Sequence, residues 1–322
     1  MKILFYGDEF VKMRETLLSS MSGHDAETSD SRTVNEKISG AEVLVTRPGT
    51  EVSRDLLEAA PNLKLHQLYG TGLEGADFEA CADLGIAVCN VPSLGTGNAE
   101  GVAEIALLHM LLLGKKYSFA RENARAGRLF SPRGISLWKK RACIVGLGNL
   151  GHATAERLSA IGMVIRGVNR SPVSAEKLAS MGVREFFQMN RLYDAVSGCR
   201  FVIAALALND ETCGIFDEPF FRAMDAGSFF INVARGGLVR EDALLRTLNE
   251  KHLAGAGLDV LADEPTSPDN PLLTHPSVTL TPHIGGNTDE SVRGILGFVR
   301  DNIDRLCRGE DTLSRQDLRG GA

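Results

Sequence analysis

Several signals of specialised chemistry are missing from this sequence. Its six cysteines (Cys81, Cys89, Cys143, Cys199, Cys213 and Cys307) form no CxxC pair, and no cluster of histidines stands at metal-ligand spacing. No bound metal is expected, and the scattered thiols read as reduced core or near-core groups of a cytoplasmic protein. No apolar stretch is long enough to span a bilayer. The longest, Ile105 to Leu113, stops at Gly114-Lys115-Lys116 and reads as a buried helix, so no membrane association is expected. The start, Met1 to Asp8, has too short an apolar run for a signal peptide. There is no long Lys/Arg run, and the net charge is -6, so nothing general draws this chain to nucleic acid. Internal repeats and low-complexity tracts are also absent.

What is present is ordinary in bulk and specific in pattern. The chain has 322 residues, more than one core usually organises, with 43% hydrophobic and 24% charged residues. Strand-like apolar runs alternate with helical segments throughout, which predicts an α/β protein with parallel sheets. Early strands are expected at Lys2 to Tyr6, Val43 to Thr46, Leu65 to Tyr69 and Ala87 to Asn90, with a helix from Asp77 to Leu84. Val91 to Asn98, with one proline and two glycines, suits a crossing between domains. Ala99 to Leu113 follows as a helix apolar on nearly every face, expected to be buried on more than one side. A second series of strands is expected at Ala142 to Val145, Val164 to Val168, Phe201 to Ala205, Phe229 to Val233, Gly255 to Val260 and Val278 to Leu280. A last helix runs from about Asp289 to Leu306, and the polar tail Arg308 to Ala322 is expected to be partly loose.

The strongest local motif is Gly146-Leu147-Gly148-Asn149-Leu150-Gly151, between a buried-strand run and a helix pattern. That context is what the dinucleotide fingerprint requires. Gly146 permits the tight turn, Gly148 admits a pyrophosphate to the backbone, and Gly151 lets helix and strand pack closely. The following helix N-terminus offers free N–H groups to the anion. An NAD site usually carries a carboxylate at the end of the next strand. Here, 23 positions after Gly146, the sequence reads Asn169-Arg170-Ser171. Arg170 can pair with a 2′-phosphate, and Asn169 and Ser171 can donate to it, so NADP(H) is favoured with NAD(H) possible.

Three ionisable residues follow later strands: Arg235 before Gly236-Gly237, Glu264 after Leu258-Asp259-Val260, and His283 in Thr281-Pro282-His283-Ile284-Gly285-Gly286. Reduction of a 2-keto acid needs a proton for the carbonyl oxygen, and an imidazole titrates near neutrality. Glu264 can orient that imidazole, and Arg235 can hold a substrate carboxylate. Taken singly, each has a structural alternative: a histidine satisfying a turn, an arginine in an internal ion pair.

These motifs, in this order, resemble the D-isomer-specific 2-hydroxyacid dehydrogenase family. The likeness runs through Val145 to Gly151, Phe229 to Val260, Ala262 to Pro265, Asn270 to Leu273, Thr281 to Gly286 and Gly70 to Glu104. It implies two Rossmann-like domains with parallel sheets and a cleft between them. Residues 1–97 with 287–322 would form the substrate domain, and 98–286 the nucleotide-binding domain, with domain closure excluding water. It also implies Arg235, Glu264 and His283 as the catalytic residues. Gly70, Thr71 and Gly72 would bind the substrate carboxylate, and Asp259 the nicotinamide amide. Val233 and Ala234 would line the cofactor, while Asn149 and Leu150 would meet its pyrophosphate. A homodimer is implied through the cofactor domain. Leu206-Ala207-Leu208-Asn209 departs from the family pattern of proline and threonine, which leaves the contacts there open.

Arg47-Pro48-Gly49-Thr50-Glu51-Val52 is similar to a stretch of phosphoglycerate dehydrogenases in which the arginine meets substrate phosphate; a surface arginine in a turn is the alternative. The first expectation for substrate is hydroxypyruvate or glyoxylate, with 3-phosphoglycerate second. The chain ends soon after its last helix, so no added regulatory domain is expected there. A cofactor-sensing corepressor-like binding protein with the same three residues is the reading from another class.

Overall fold

The computed structural model describes residues 1–317 of the chain. Contacts divide the chain into two compact units: Met1–Asn98 with the segment from Asp289 onward, and Ala99–Thr288. Each is an α/β unit around one all-parallel sheet.

Among the described residues the first unit has five strands: β1 (Lys2–Tyr6), β2 (Asp25–Ser29), β3 (Val43–Thr46), β4 (Leu65–Leu68) and β5 (Ala87–Cys89), in the order β2-β1-β3-β4-β5. The chain steps outward from β1 to β2, then returns to β3 on the other side. The β1/β3 boundary is therefore a topological switch point, the place where open α/β sheets bind ligands. Strand alternation sends Ile3 and Phe5 to one face and Leu4 to the other. On the first face they meet Ile295, Leu296, Val299 and Ile303 of the long helix Asp289–Cys307.

The second unit has seven strands: β6 (Arg141–Val145), β7 (Val164–Asn169), β8 (Val183–Gln188), β9 (Phe201–Ala204), β10 (Phe229–Asn232), β11 (Gly255–Leu258) and β12 (Val278–Leu280). Their order is β12-β11-β10-β9-β6-β7-β8, with the switch between β6 and β9. Cys143 and Val145 pack on one face and Ala142 and Ile144 on the other, so the sheet is covered on both sides.

Two strands were not expected from the sequence. β2 (DAETS) and β8 (VREFFQ) are the sheet edges, partly exposed, and their polar residues hide the apolar signal on which a strand expectation rests. The helix Asn98–Gly114 buries Ala103, Ala106, Met110 and Leu113 but leaves Leu108 and Leu111 exposed. The tail corrects its expectation as far as residue 317. Arg315 bridges Cys89 in antiparallel fashion, Gln316 N–H donates to Val88 (2.9 Å) and Leu313 N–H to Asn302 Oδ1 (2.7 Å). An open β5 edge with unpaired backbone groups is the physical reason. Residues 318–322 of that expectation lie outside the described residues. All six cysteines are free; Cys213 and Cys307 are exposed rather than near the core. Among the described residues, no helix is long and apolar enough to cross a membrane.

Candidate active site

Because the seven strands of the second unit are parallel, their carboxyl ends share one edge, and the strand order sets out what lies along it. The Asn169 turn follows β7, the glycine loop β6, the 205–212 loop β9, Arg235 β10, Glu264 β11 and His283 β12. From β7 to β10 is three strand spacings of roughly 4.8 Å, a span suited to an extended dinucleotide.

The three fingerprint glycines are needed for three different reasons. Gly146 has φ 105°, and a Cβ there would lie 2.5 Å from the Ala205 carbonyl oxygen. A Cβ on Gly151 would overlap the Gly146 carbonyl oxygen. A Cβ on Gly148 would meet nothing within 4 Å. The space over Gly148 is thus open, at the N-terminus of the 12-residue helix Asn149–Ala160, whose first turn carries no acidic residue. The N–H groups of Asn149 and Leu150 have no partner among the described residues. These features fit a dinucleotide pyrophosphate.

At the neighbouring turn, Asn169 Oδ1 accepts the Leu147 N–H (3.2 Å) and its Nδ2 donates to the Ser171 carbonyl (2.9 Å). Asn169 therefore ties the glycine loop to the turn, and Ser171 contributes a carbonyl to that tie. Arg170 is exposed and its Nη1 lies 2.9 Å from Glu211 Oε2.

Arg235 is set by Asn232, a buried residue that sequence reading passed over. Asn232 Nδ2 donates to the Arg235 carbonyl (2.9 Å) and its Oδ1 accepts the Ala234 N–H (3.1 Å). This bends the chain after β10 and buries Val233 and Ala234. Gly236 then lets the loop press on Leu261, where a Cβ would overlap the carbonyl group. From that contact the chain leads to Glu264, whose Oε1 accepts the Leu261 N–H (3.1 Å). Its Oε2 lies 2.6 Å from His283 Nδ1. The loop is braced by Glu241, which accepts from Ala262 N–H (2.7 Å) and Asn270 Nδ2 (3.0 Å).

The electrostatics agree with the geometry. The Glu264 hydrogen bond, opposed by burial and aided by the charges of Glu264 and Asp259, raises the His283 pKa above its usual 6.5; Arg235 works against the rise. Burial pushes the Glu264 carboxyl up, but the His283 hydrogen bond, the Leu261 N–H and the Arg235 charge together hold it below its usual value. With Nδ1–H given to the carboxylate, Nε2 is left to exchange a proton.

His283 has φ 52°, a left-handed conformation unusual for a side-chain-bearing residue. Asp259 holds it there. The Asp259 carbonyl accepts the His283 N–H (2.8 Å), and its carboxylate accepts from Ile284 N–H (3.0 Å), Gly285 N–H (2.9 Å) and Thr281 Oγ1 (2.5 Å). The Asp259 carboxylate, expected at the nicotinamide amide, thus has three partners in the loop after β12, and the residue is 2% exposed.

The first unit holds the remaining candidates. Gly70, Thr71 and Gly72 follow β4, and none of their N–H groups has a partner among the described residues. Three free N–H groups in succession suit a carboxylate. Arg47 follows β3 at the switch point. Its guanidinium lies 5.9 Å from the Phe10 ring centroid and 5.7 Å from that of Tyr69, and no carboxylate pairs with it among the described residues. Its Nε and the Tyr69 hydroxyl are buried without hydrogen-bond partners. Arg47 is therefore turned into its unit, unlike a solvent-facing turn arginine.

Comparison with known proteins gives a consistent result. Residues 107–285 match the family described as D-isomer specific 2-hydroxyacid dehydrogenase, NAD binding domain. A D-3-phosphoglycerate dehydrogenase of Methanocaldococcus jannaschii is 35% identical over 85% of this chain and 51% of its own length. The chain spans about half the length of the curated relatives it matches. Among solved structures, a 2-hydroxyacid dehydrogenase of Ketogulonicigenium vulgare Y25 superposes with TM-score 0.84 at 26% identity, covering 99% of both chains. The apo D-lactate dehydrogenase of Escherichia coli gives TM-score 0.84 at 25% identity, over 98% of this chain and all of that one. With over half its length matched by the family description, and the glycine loop and the Glu264–His283 pair in place, the chain belongs to the D-isomer specific 2-hydroxyacid dehydrogenase family.

Proposed function

We propose that this chain is a nicotinamide-dependent oxidoreductase interconverting a small 2-keto acid and its D-2-hydroxy acid. The observation that carries the reading is the Glu264–His283 pair at 2.6 Å, at the same sheet edge as the glycine loop. Gly148 and the N–H groups of Asn149 and Leu150 would hold the pyrophosphate, and Val233 and Ala234 would line the cofactor. When bound, the nicotinamide supplies or accepts the hydride at C2 of the substrate. In reduction, His283 Nε2 gives its proton to the carbonyl oxygen as that oxygen gains negative charge. Glu264 stabilises the imidazolium beforehand and fixes its tautomer. Arg235 binds the substrate carboxylate and polarises the carbonyl. In oxidation the neutral imidazole takes the hydroxyl proton.

A phosphorylated substrate suits the first unit better than the hydroxypyruvate or glyoxylate expected from the sequence. Hydroxypyruvate and glyoxylate lack a second strong anion, whereas Arg47 is a cation without a carboxylate partner at a switch point, beside the free N–H groups of Gly70, Thr71 and Gly72. Curated relatives named D-3-phosphoglycerate dehydrogenase favour the same substrate class. We therefore place a phosphorylated 2-hydroxy acid of the 3-phosphoglycerate type first. Turnover of 3-phosphoglycerate, glyoxylate, hydroxypyruvate and pyruvate is the test. Arg47→Gln is expected to raise KM for 3-phosphoglycerate by at least about tenfold and leave that for glyoxylate nearly unchanged. Equal effects on both, or better turnover of glyoxylate by the unaltered protein, reverse the ranking. No turnover of any of the four, alongside tight cofactor binding, supports the corepressor-like reading instead.

Cofactor preference is assigned to NADP(H), with NAD(H) accepted. Both partners of the Arg170–Glu211 pair are over 70% exposed, and exposed pairs are weak enough for a 2′-phosphate to displace the carboxylate. The homodimer reading is supported by the apolar residues left exposed on the second unit at Leu108, Leu111, Phe119, Leu129 and Phe130.

A further inference from the structure

One buried histidine has no part in the proposed chemistry. His109 sits in the helix Asn98–Gly114 and is 0% exposed. Its Nδ1 lies 2.8 Å from Thr279 Oγ1 and its Nε2 lies 3.0 Å from Thr281 Oγ1. Thr279 and Thr281 are two residues apart along an extended chain, so both present their hydroxyls to the same face.

The proton positions follow from the partners. Asp259 already accepts a backbone N–H on each carboxylate oxygen, so its contact with Thr281 is one in which the hydroxyl donates. The Thr281 oxygen is then an acceptor toward His109, which must carry its proton on Nε2. Nδ1 is left to accept from the Thr279 hydroxyl. Burial, opposed by the Asp259 charge, lowers the His109 pKa to about 4, so the ring is neutral near pH 7 and holds this single tautomer. Room for the ring comes from Gly257 on β11, where a Cβ would overlap the His109 Cβ. The histidine and the glycine fit as a pair.

The chain of contacts leads from His109 to Thr281, to the Asp259 carboxylate, and from there to the N–H groups of Ile284 and Gly285. His283 lies between, held in its left-handed conformation. We propose that His109 is a positioning residue for His283: by orienting the Thr281 hydroxyl on Asp259, it locks the 281–285 loop so that the imidazole meets Glu264. Its effect on turnover rests on the acid–base reading of His283 given above. Its effect on the His283 ring does not.

The test compares His109→Leu, Thr281→Val and Thr281→Ser in the full chain. The His283 ring is titrated by NMR, and kcat and KM are measured across pH. Glu264, Asp259 and Arg235, the charged groups acting on His283, stay in place in all three variants. His109→Leu and Thr281→Val are expected to move the His283 pKa down toward 6.5. They should lower kcat by about tenfold to a hundredfold, with cofactor KM changed less than about twofold. Thr281→Ser, which keeps the hydroxyl, should restore both the titration and kcat relative to Thr281→Val. A folded His109→Leu whose His283 titrates as before overturns the proposal, even if its Tm is lower, because His109 is then only a core residue. If His109→Leu does not fold, the valine and serine variants decide in the same way. If His283→Ala retains turnover, the acid–base reading fails while the titration still reports on positioning.

Discussion

Nδ1 of His283 lies 2.6 Å from one carboxylate oxygen of Glu264, and the other oxygen is held by the Leu261 N–H. The carboxylate cannot turn away without losing a backbone hydrogen bond, so the imidazole meets a fixed acceptor. The raised His283 pKa gives the sign of the pH dependence: the protonated form persists above the usual 6.5 and is lost as pH rises through the shifted value. Reduction should be fast on the acid side of that point, and oxidation on the alkaline side. Glu264→Gln removes the main cause of the shift, so the limb of kcat/KM against pH should move to lower pH in both directions of reaction. A limb that stays in place shows that another group titrates.

The glycine loop allows stability and cofactor binding to be separated. A methyl on Gly148 enters open space at φ -73°, so Gly148→Ala should change unfolding free energy by less than about 1 kcal/mol. It should nonetheless raise the cofactor Kd by at least about tenfold, since the pyrophosphate is expected in that space. Gly151→Ala drives a methyl into the Gly146 carbonyl and should cost roughly 1–3 kcal/mol of stability. Denaturation curves and cofactor titrations of the two variants check the contrast.

Arg170 and Glu211 form an exposed pair at 2.9 Å. Arg170→Ala should weaken NADPH by about tenfold and leave NADH nearly unchanged. Glu211→Gln should tighten NADPH modestly by removing a competing anion. Binding measured with both cofactors is the check, and equal losses for the two after Arg170→Ala reject the phosphate role.

Two histidines set an acid limit on stability. His66 is 0% exposed on β4 with its Nε2 2.8 Å from Thr46 Oγ1, and burial lowers its pKa to about 4. His109 is lowered to a similar value by burial. In the unfolded chain both titrate near 6.5, so between these values the unfolded state takes up protons that the fold refuses. Stability is therefore full above pH 6.5 and declines as pH falls toward 4, by up to about 3 kcal/mol for each imidazole. Urea denaturation at pH 7 and pH 5 measures the decline, and His66→Gln should reduce its slope.

Much of this was legible in the residues before any coordinates. The central strands are apolar runs such as Ala142 to Val145 and Phe229 to Ile231, because a parallel sheet is covered on both faces. The glycine loop could be read because each glycine answers a steric demand. The edge strands β2 and β8 could not, since exposure lets Asp25, Glu27, Arg184 and Glu185 stand in them. The Glu264–His283 contact joins residues 19 positions apart, and residue types alone left the pairing open. Asn232 and His109 were missed for a shared reason: a buried polar side chain shows its purpose only through its partners, which for Asn232 are backbone groups of the following turn and for His109 lie about 170 residues away. The one available hint for His109 was a lone histidine inside a leucine-rich helix.

The first unit is built from two stretches of chain separated by the whole of the second. Ile3 and Phe5 share a cluster with Ile295, Leu296, Val299 and Ile303. During synthesis, Ala99–Thr288 can close its own sheet as soon as it has emerged, because everything it packs against is contiguous. The amino-terminal sheet must wait with one apolar face only partly covered, by Phe10, Leu17 and Met21, until the helix Asp289–Cys307 arrives. A released chain truncated after Thr288 should resist protease across its later part and be cut within its first hundred or so residues, an asymmetry that a chaperone would encounter on every copy made.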